Sequence, residues 1–332
     1  MPGVAATEPY RDPPLLRTHR LPASGGHVLH VQEFGRADGL PALVLHGGPG
    51  SGSSPLLRHG FDPARYRIIC PDQRGAGASE PHGLIAHNTT TDLLDDLSTL
   101  RRHLSVPSWL VVGGSWGATL ALAYGAAEPG AVNALLLRAS FLARRDDIDA
   151  FFQRPAPADA PAWTAFAAGA PATHRPALLA GLAQVLACGT RAEQEAAALA
   201  WWRWEQRLSG AAAPAQEPAG DVLAAQVGRY RVQAHYMHHA CWLESPSLLE
   251  RCADVPRVPT LLLHATDDRI CPPAGALALH RQLPHSRLHW VQGAGHNPAH
   301  PAMAAAMRAA LDHYAARTEF ARADLGPCAA PP

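Results

Sequence analysis

The sequence predicts an α/β fold in which a mostly parallel sheet is interrupted by a helical insertion. Short apolar runs without polar alternation recur between helix-patterned stretches, as in strands buried on both faces. Each run ends in turn residues, and the rhythm stops near Arg144 and resumes near Thr260. At 332 residues the chain can bury a large core, as one big domain or as a core carrying an insertion.

The first element is a β-hairpin. Thr18–Leu21 is followed by Gly25-Gly26 and then by alternating apolar positions from His27 to Phe34. Four strands follow as short apolar runs: Ala42–Leu45, Ile68–Cys70, Trp109–Val112 and Ala134–Leu137. Thr91 to Leu104 is a helix, because Leu93, Leu94, Leu97, Leu100 and Leu104 recur at helical spacing. Gly117 to Glu128 is a second helix. Strands alternating with helices argue for a parallel sheet with right-handed crossovers.

From Arg144 to about Glu250 the chain is rich in Ala, Pro and Trp and holds no convincing buried strand. Trp163, Trp201, Trp202, Trp204 and Trp242 fall within it, five of the eight tryptophans. A helical insertion at 144–250 thus separates a first core part, 1–143, from a second, 251–332. In the second part Thr260–His264 and Arg287–Val291 read as strands, with a helix around Ala274–Gln282 between them. A final helix is expected from Pro301 to about Arg322, and the last ten residues read as a frayed tail.

Composition excludes several classes of function. Lys+Arg 28 balances Asp+Glu 28, with every fixed cation an arginine, so nothing favours nucleic acid or an anionic membrane. The six cysteines, Cys70, Cys188, Cys241, Cys252, Cys271 and Cys328, form no C-x-x-C pair, and no metal or cofactor is expected. Met1 to Arg20 has no apolar segment of a secretory signal, and no run approaches the roughly 18 apolar residues of a membrane span. The expectation is a soluble, cytoplasmic protein with free thiols.

Chemistry concentrates at Gly113-Gly114-Ser115-Trp116-Gly117, between the strand at Trp109–Val112 and the following helix. G-x-S-x-G in that setting is a nucleophile elbow, which lifts the serine hydroxyl above the sheet edge. A serine needs a base, and the base needs an orienting carboxylate. Both candidates follow strands of the second core part. Thr260–His264 leads into Asp267-Asp268, and Arg287–Val291 leads into Gly293-Ala294-Gly295-His296. His296 is therefore singled out among nineteen histidines. Asp267 and Asp268 both remain candidates for the acid on this pattern alone. The oxyanion needs N–H donors. Trp116 N–H supplies one, and His46-Gly47-Gly48-Pro49-Gly50 supplies the other, with Gly48 preferred to Gly47. The bland alternative for that loop is a tight turn alone.

Together, His46-Gly-Gly-Pro-Gly50, Asp72-Gln-Arg-Gly-Ala-Gly-Ala-Ser79, Asn88-Thr-Thr90, Gly113-Gly-Ser-Trp-Gly117, Trp201-x-x-Trp204-Glu205 and Gly293-Ala-Gly-His296 resemble the proline iminopeptidases. These are serine peptidases of the α/β-hydrolase fold, with a helical cap domain inserted into the core. The resemblance runs from near Glu8 to the final helix. It implies removal of an N-terminal proline from a peptide. It also selects Asp268, which matches the family's acid three residues before Cys271-Pro272.

The resemblance further implies that Glu205 binds the substrate's α-ammonium. A blocked peptide would then leave that carboxylate unpaired, at roughly 3–5 kcal/mol. Phe141 and Phe151 are implied as contacts to the proline ring. A second family carboxylate falls on Gln233, and a family aromatic falls on Met237. Both departures predict weaker dependence on a free amino terminus. They also motivate a related reading, an esterase, amidase or lactonase with altered cap specificity. A non-catalytic ligand-binding protein of the same fold is the alternative of another class. Cys271, beside the acid, predicts thiol-sensitive activity.

Overall fold

The computed structural model describes residues 10, 12–152, 155–211 and 216–321. The expected tail, Cys328 and Arg322 lie outside the described residues. Eight strands form one sheet in the order β1-β2-β4-β3-β5-β6-β7-β8. The hairpin is β1 (Leu15–Pro22) and β2 (Val28–Gly35), and β2 also pairs antiparallel with β4 (Tyr66–Pro71). All other pairings are parallel, through β3 (Leu40–Leu45), β5 (Trp109–Gly114), β6 (Val132–Arg138), β7 (Thr260–Ala265) and β8 (Arg287–Val291). The parallel strands therefore deliver their C-terminal ends to one rim, where open α/β sheets bind ligands.

Successive side chains of a strand point to opposite faces, and β5 shows the consequence. Trp109 and Val111 join one apolar cluster, and Leu110 and Val112 join the other. The first cluster holds α1 (Thr90–His103) and α2 (Trp116–Ala127); the second holds α10 (Pro301–Arg317). A capping box between Thr89 and Asp92 starts α1, whose Leu93, Leu97 and Leu100 are buried as their spacing requires. Helix α2 is buried on nearly every side, as its uniformly apolar sequence demands.

Between β6 and β7 the described residues form no strand. They form α3 (Arg145–Phe152), α4 (Ala160–Ala167), α5 (Leu178–Cys188), α6 (Arg191–Ser209), α7 (Gly220–His238) and α8 (Leu248–Arg251). Trp201 and Trp204 of α6 are buried against Phe151, Phe152 and Phe166, and Trp201 stacks on Tyr230 of α7. Helix α9 (Pro273–Gln282) links β7 to β8. The final helix is shorter than its sequence suggests. It stops at Arg317 because Thr318 turns left-handed (φ 56°) and donates its N–H to the Tyr314 carbonyl at 2.8 Å.

Candidate active site

Ser115 sits between β5 and α2 with φ 56° and ψ −124°. A non-glycine residue held there stores about 1–3 kcal/mol of backbone strain, released only if the turn comes apart. Its neighbours must be glycine for steric reasons. A Cβ on Gly113 would lie 2.2 Å from the Gly117 carbonyl oxygen, and one on Gly117 would lie 2.2 Å from that of Leu45. The Ser115 N–H donates to the Arg138 carbonyl at 2.9 Å, which ties the turn to the end of β6.

The candidate acid and base meet at the same rim. Asp268 Oδ2 accepts from His296 Nδ1 at 2.8 Å, and Oδ1 accepts from the backbone N–H of Ile270 (2.9 Å) and Cys271 (2.8 Å). Burial pushes the Asp268 pKa up, but His296, His264 and the Cys271 N–H outweigh it and hold the carboxyl below its ordinary value. An ionised carboxylate only accepts, so Nδ1 of His296 carries the hydrogen and Nε2 is left as the base. Asp267 is exposed and instead receives the Gly295 N–H at 3.0 Å.

The loop carrying His296 is held from two sides, because the His296 N–H donates to the Ser209 carbonyl at the end of α6 (2.9 Å). Behind it, buried Asp159 pairs with Arg207 of α6 at 2.9 Å and with Arg269 beside the acid. Ser115 Oγ and His296 line one cavity, but no hydrogen bond joins them among the described residues. The serine oxygen lies 3.9 Å from Cys271 Sγ.

The segments carrying the candidate oxyanion donors are joined by Gln73. Its N–H donates to His46 Nε2 (3.0 Å), its side-chain amide donates to the His46 carbonyl (2.9 Å), and its Oε1 accepts from Trp116 Nε1 (2.8 Å). One buried residue thus joins the glycine loop after β3 to the first residue of α2. As that first residue, Trp116 has no carbonyl four positions back for its N–H. Gly47 and Gly48 both line the cavity, and a Cβ on Gly47 would sit 3.5 Å from Ser115 Cβ. Burial keeps the His46 pKa low, so the ring stays neutral, with Nδ1 donating to the Gly47 carbonyl at 2.9 Å.

The cavity measures about 290 Å³ and is roofed by α3, α6 and α7. Phe141, Phe151, Glu205, Gln233 and Met237 all line it. The expectation of an unpaired carboxylate at Glu205 is corrected. Oε2 accepts from Arg229 Nη2 (2.8 Å) and Tyr230 OH (2.9 Å), and Oε1 accepts from Gln233 Nε2 (2.8 Å). The neighbours Arg203 and Arg207 turn to Glu217 and Asp159 instead. Burial lifts the Tyr230 pKa well above its ordinary value, so its hydroxyl remains a donor.

Sequence reasoning missed Arg138 and Arg229, which both line the cavity. Arg138, a charge closing the apolar strand β6, is buried and donates to the His296 carbonyl at 3.4 Å. Arg229 lies one helical turn before Gln233, and that spacing was the available signal.

A family model described as alpha/beta hydrolase fold matches residues 41–301. A proline iminopeptidase of Arabidopsis thaliana is 38% identical over 309 residues, covering 91% of this chain and 79% of that protein. A proline iminopeptidase of Xanthomonas citri is 36% identical over 292 residues, covering 87% and 93%. Among solved structures, the proline iminopeptidase of Mycobacterium smegmatis superposes with a TM-score of 0.58 at 20% identity, covering 91% of this chain and 98% of that one. VinJ superposes at 0.61 and 20%, covering 90% and 98%.

Proposed function

The chain belongs to the proline iminopeptidase family of α/β hydrolases, and from that premise we propose that it releases N-terminal proline from peptides through Ser115, His296 and Asp268. Ser115 Oγ attacks the prolyl carbonyl carbon while His296 Nε2 takes its proton. The Trp116 and Gly48 N–H groups hold the oxyanion, with Gly47 as the second choice. The amide C–N bond then breaks, His296 protonates the departing amine, and water cleaves the prolyl-enzyme by the same route. Asp268 holds the imidazole tautomer throughout.

The observation that carries this reading is the 2.8 Å His296–Asp268 bond at the rim where the elbow presents Ser115, inside a cavity both residues share. Catalytic hydrogen bonds often tighten only around substrate, so the open Ser115–His296 link is compatible with it. In this reading residues 144–250 are the cap over a core made of 1–143 and 251–332. Phe141, Phe151 and Met237 wall the ring, and Glu205 and Gln233 face its nitrogen. No described helix is long and apolar enough to cross a membrane. The unbridged thiols of Cys70, Cys188, Cys241, Cys252 and Cys271 support a cytoplasmic location.

A panel of aminoacyl-β-naphthylamides tests the proposal. Prolyl-β-naphthylamide is expected to turn over faster than the alanyl and leucyl compounds, and Ser115→Ala to abolish turnover. Equal rates on all three would favour the related amidase or esterase reading, which the pairing of Glu205 with Arg229 supports. Failure of a fluorophosphonate to label Ser115 would favour the non-catalytic one.

A further inference from the structure

The part of the cavity wall formed by Glu205 and Arg229 is already neutral. Glu205 and Arg229 form an ion pair within the chain, with Tyr230 and Gln233 completing the carboxylate. A substrate ammonium entering there meets a guanidinium of its own sign. What the wall leaves open is a different pair of groups. Arg229 Nε–H and Gln233 Oε1 are both buried and have no hydrogen-bond partner among the described residues. A buried donor or acceptor without a partner is costly, so each gains from a ligand that supplies its complement. The two residues are four apart on α7, hence on one helix face, and both line the cavity with Ser115 and His296.

Building on the prolyl-site reading, we infer that the acyl subsite takes a neutral cyclic amide: the five-membered lactam of an N-terminal 5-oxoprolyl group. The lactam N–H donates to Gln233 Oε1, and the lactam carbonyl accepts from Arg229 Nε. In a lactam the amide is cis, so donor and acceptor leave the ring on the same side, as partners on one helix face require. A linear N-acyl group holds them on opposite sides, and acetylproline has no N–H at all.

The ring is the size of proline, so Phe141, Phe151 and Met237 enclose either. The bond changes are those of the prolyl reaction. Ser115 Oγ bonds to the exocyclic carbonyl carbon, the amide C–N bond breaks, and the serine proton leaves on the amine through His296. Water then releases 5-oxoproline and restores the serine.

The test measures kcat/KM of the full chain on 5-oxoprolyl-, prolyl- and acetylprolyl-β-naphthylamide, for wild type, Arg229→Met and Gln233→Glu. Fluorophosphonate labelling of Ser115 reports folded, competent protein. Wild type is expected to cleave the 5-oxoprolyl compound at least tenfold better than the acetylprolyl one. Both variants are expected to shift the 5-oxoprolyl to prolyl ratio at least tenfold toward prolyl, since each restores demand for a cation. Cleavage of prolyl alone by wild type, or a ratio unmoved by both variants, overturns the lactam inference and leaves the prolyl reading standing. Cleavage of neither by labelled protein overturns both.

Discussion

At the scale of single residues, the orienting carboxylate has the sharpest consequence. Asp268 accepts three hydrogen bonds while fully buried, and one of them fixes which imidazole nitrogen is free. Asp268→Asn is expected to lower kcat by roughly 10³–10⁴-fold, with the fold and KM little changed, measured by steady-state turnover of prolyl-β-naphthylamide. Cys271 is different in kind. Burial pushes its thiol pKa well up, so it is a poor nucleophile despite lying 3.9 Å from Ser115 Oγ. Iodoacetamide, which needs thiolate, should inactivate slowly, and Cys271→Ala should resist it altogether. Loss of activity in the treated variant would place the sensitive thiol elsewhere.

The site residues were legible where chain order and turn chemistry act together. Ser115, Asp268 and His296 each follow an apolar run ending in a turn, so their strands dictate where they emerge. Arg229 was missed, because its spacing from Gln233 was the one signal and a lone arginine on a helix otherwise reads as a solvated charge. Its partner Glu205 lies on another helix, 24 positions earlier, and no local pattern records that meeting.

Among elements, the loop after β3 and the start of α2 depend on one bridging amide. Gln73→Leu removes the side-chain donor to His46 and the acceptor for Trp116. The expected effect is a fall in kcat of about 10–100-fold, smaller than the loss of a direct oxyanion donor, with KM largely retained. A fall in KM affinity without loss of kcat would contradict it.

Helices α6 and α7 were recognisable as part of an insertion from their tryptophans, yet the packing partners were not. Trp201 is wholly buried among Phe151, Phe152, Phe166 and Tyr230, residues from three separate helices. Trp201→Ala should cost about 3–5 kcal/mol, read as a lower urea midpoint. The overestimated end of α10 has the opposite cause. Its last turn, Tyr314-Ala315-Ala316-Arg317, is alanine-rich, so helix propensity continues past the point where Thr318 turns left-handed.

For the whole molecule, the buried histidines set the acid side of its stability. Burial lowers the pKa of His46 and of His264, which are 1% and 0% exposed. In the unfolded chain each takes up a proton near pH 6.5, whereas in the fold each does so only at lower pH. The unfolded state therefore binds more protons in that interval, and stability falls as pH drops below about 6.5. Asp268 adds to this further down, since the support from its lowered pKa is present above about pH 4 and lost as pH falls through its folded value. Thermal unfolding between pH 8 and 5 should show a falling Tm, and His264→Gln should flatten the slope while keeping a donor for the Cys271 carbonyl. A Tm independent of pH over that range would refute the assignment.

The bond from the His296 N–H to the Ser209 carbonyl joins the proposed catalytic base to the end of a roof helix. A roof that swings wide drags the imidazole off its station, so the enlarged mouth and the working base exclude one another. Under the proposed function, short peptides are therefore expected to be cleaved and folded polypeptides refused, which turnover across a series of peptide lengths would check.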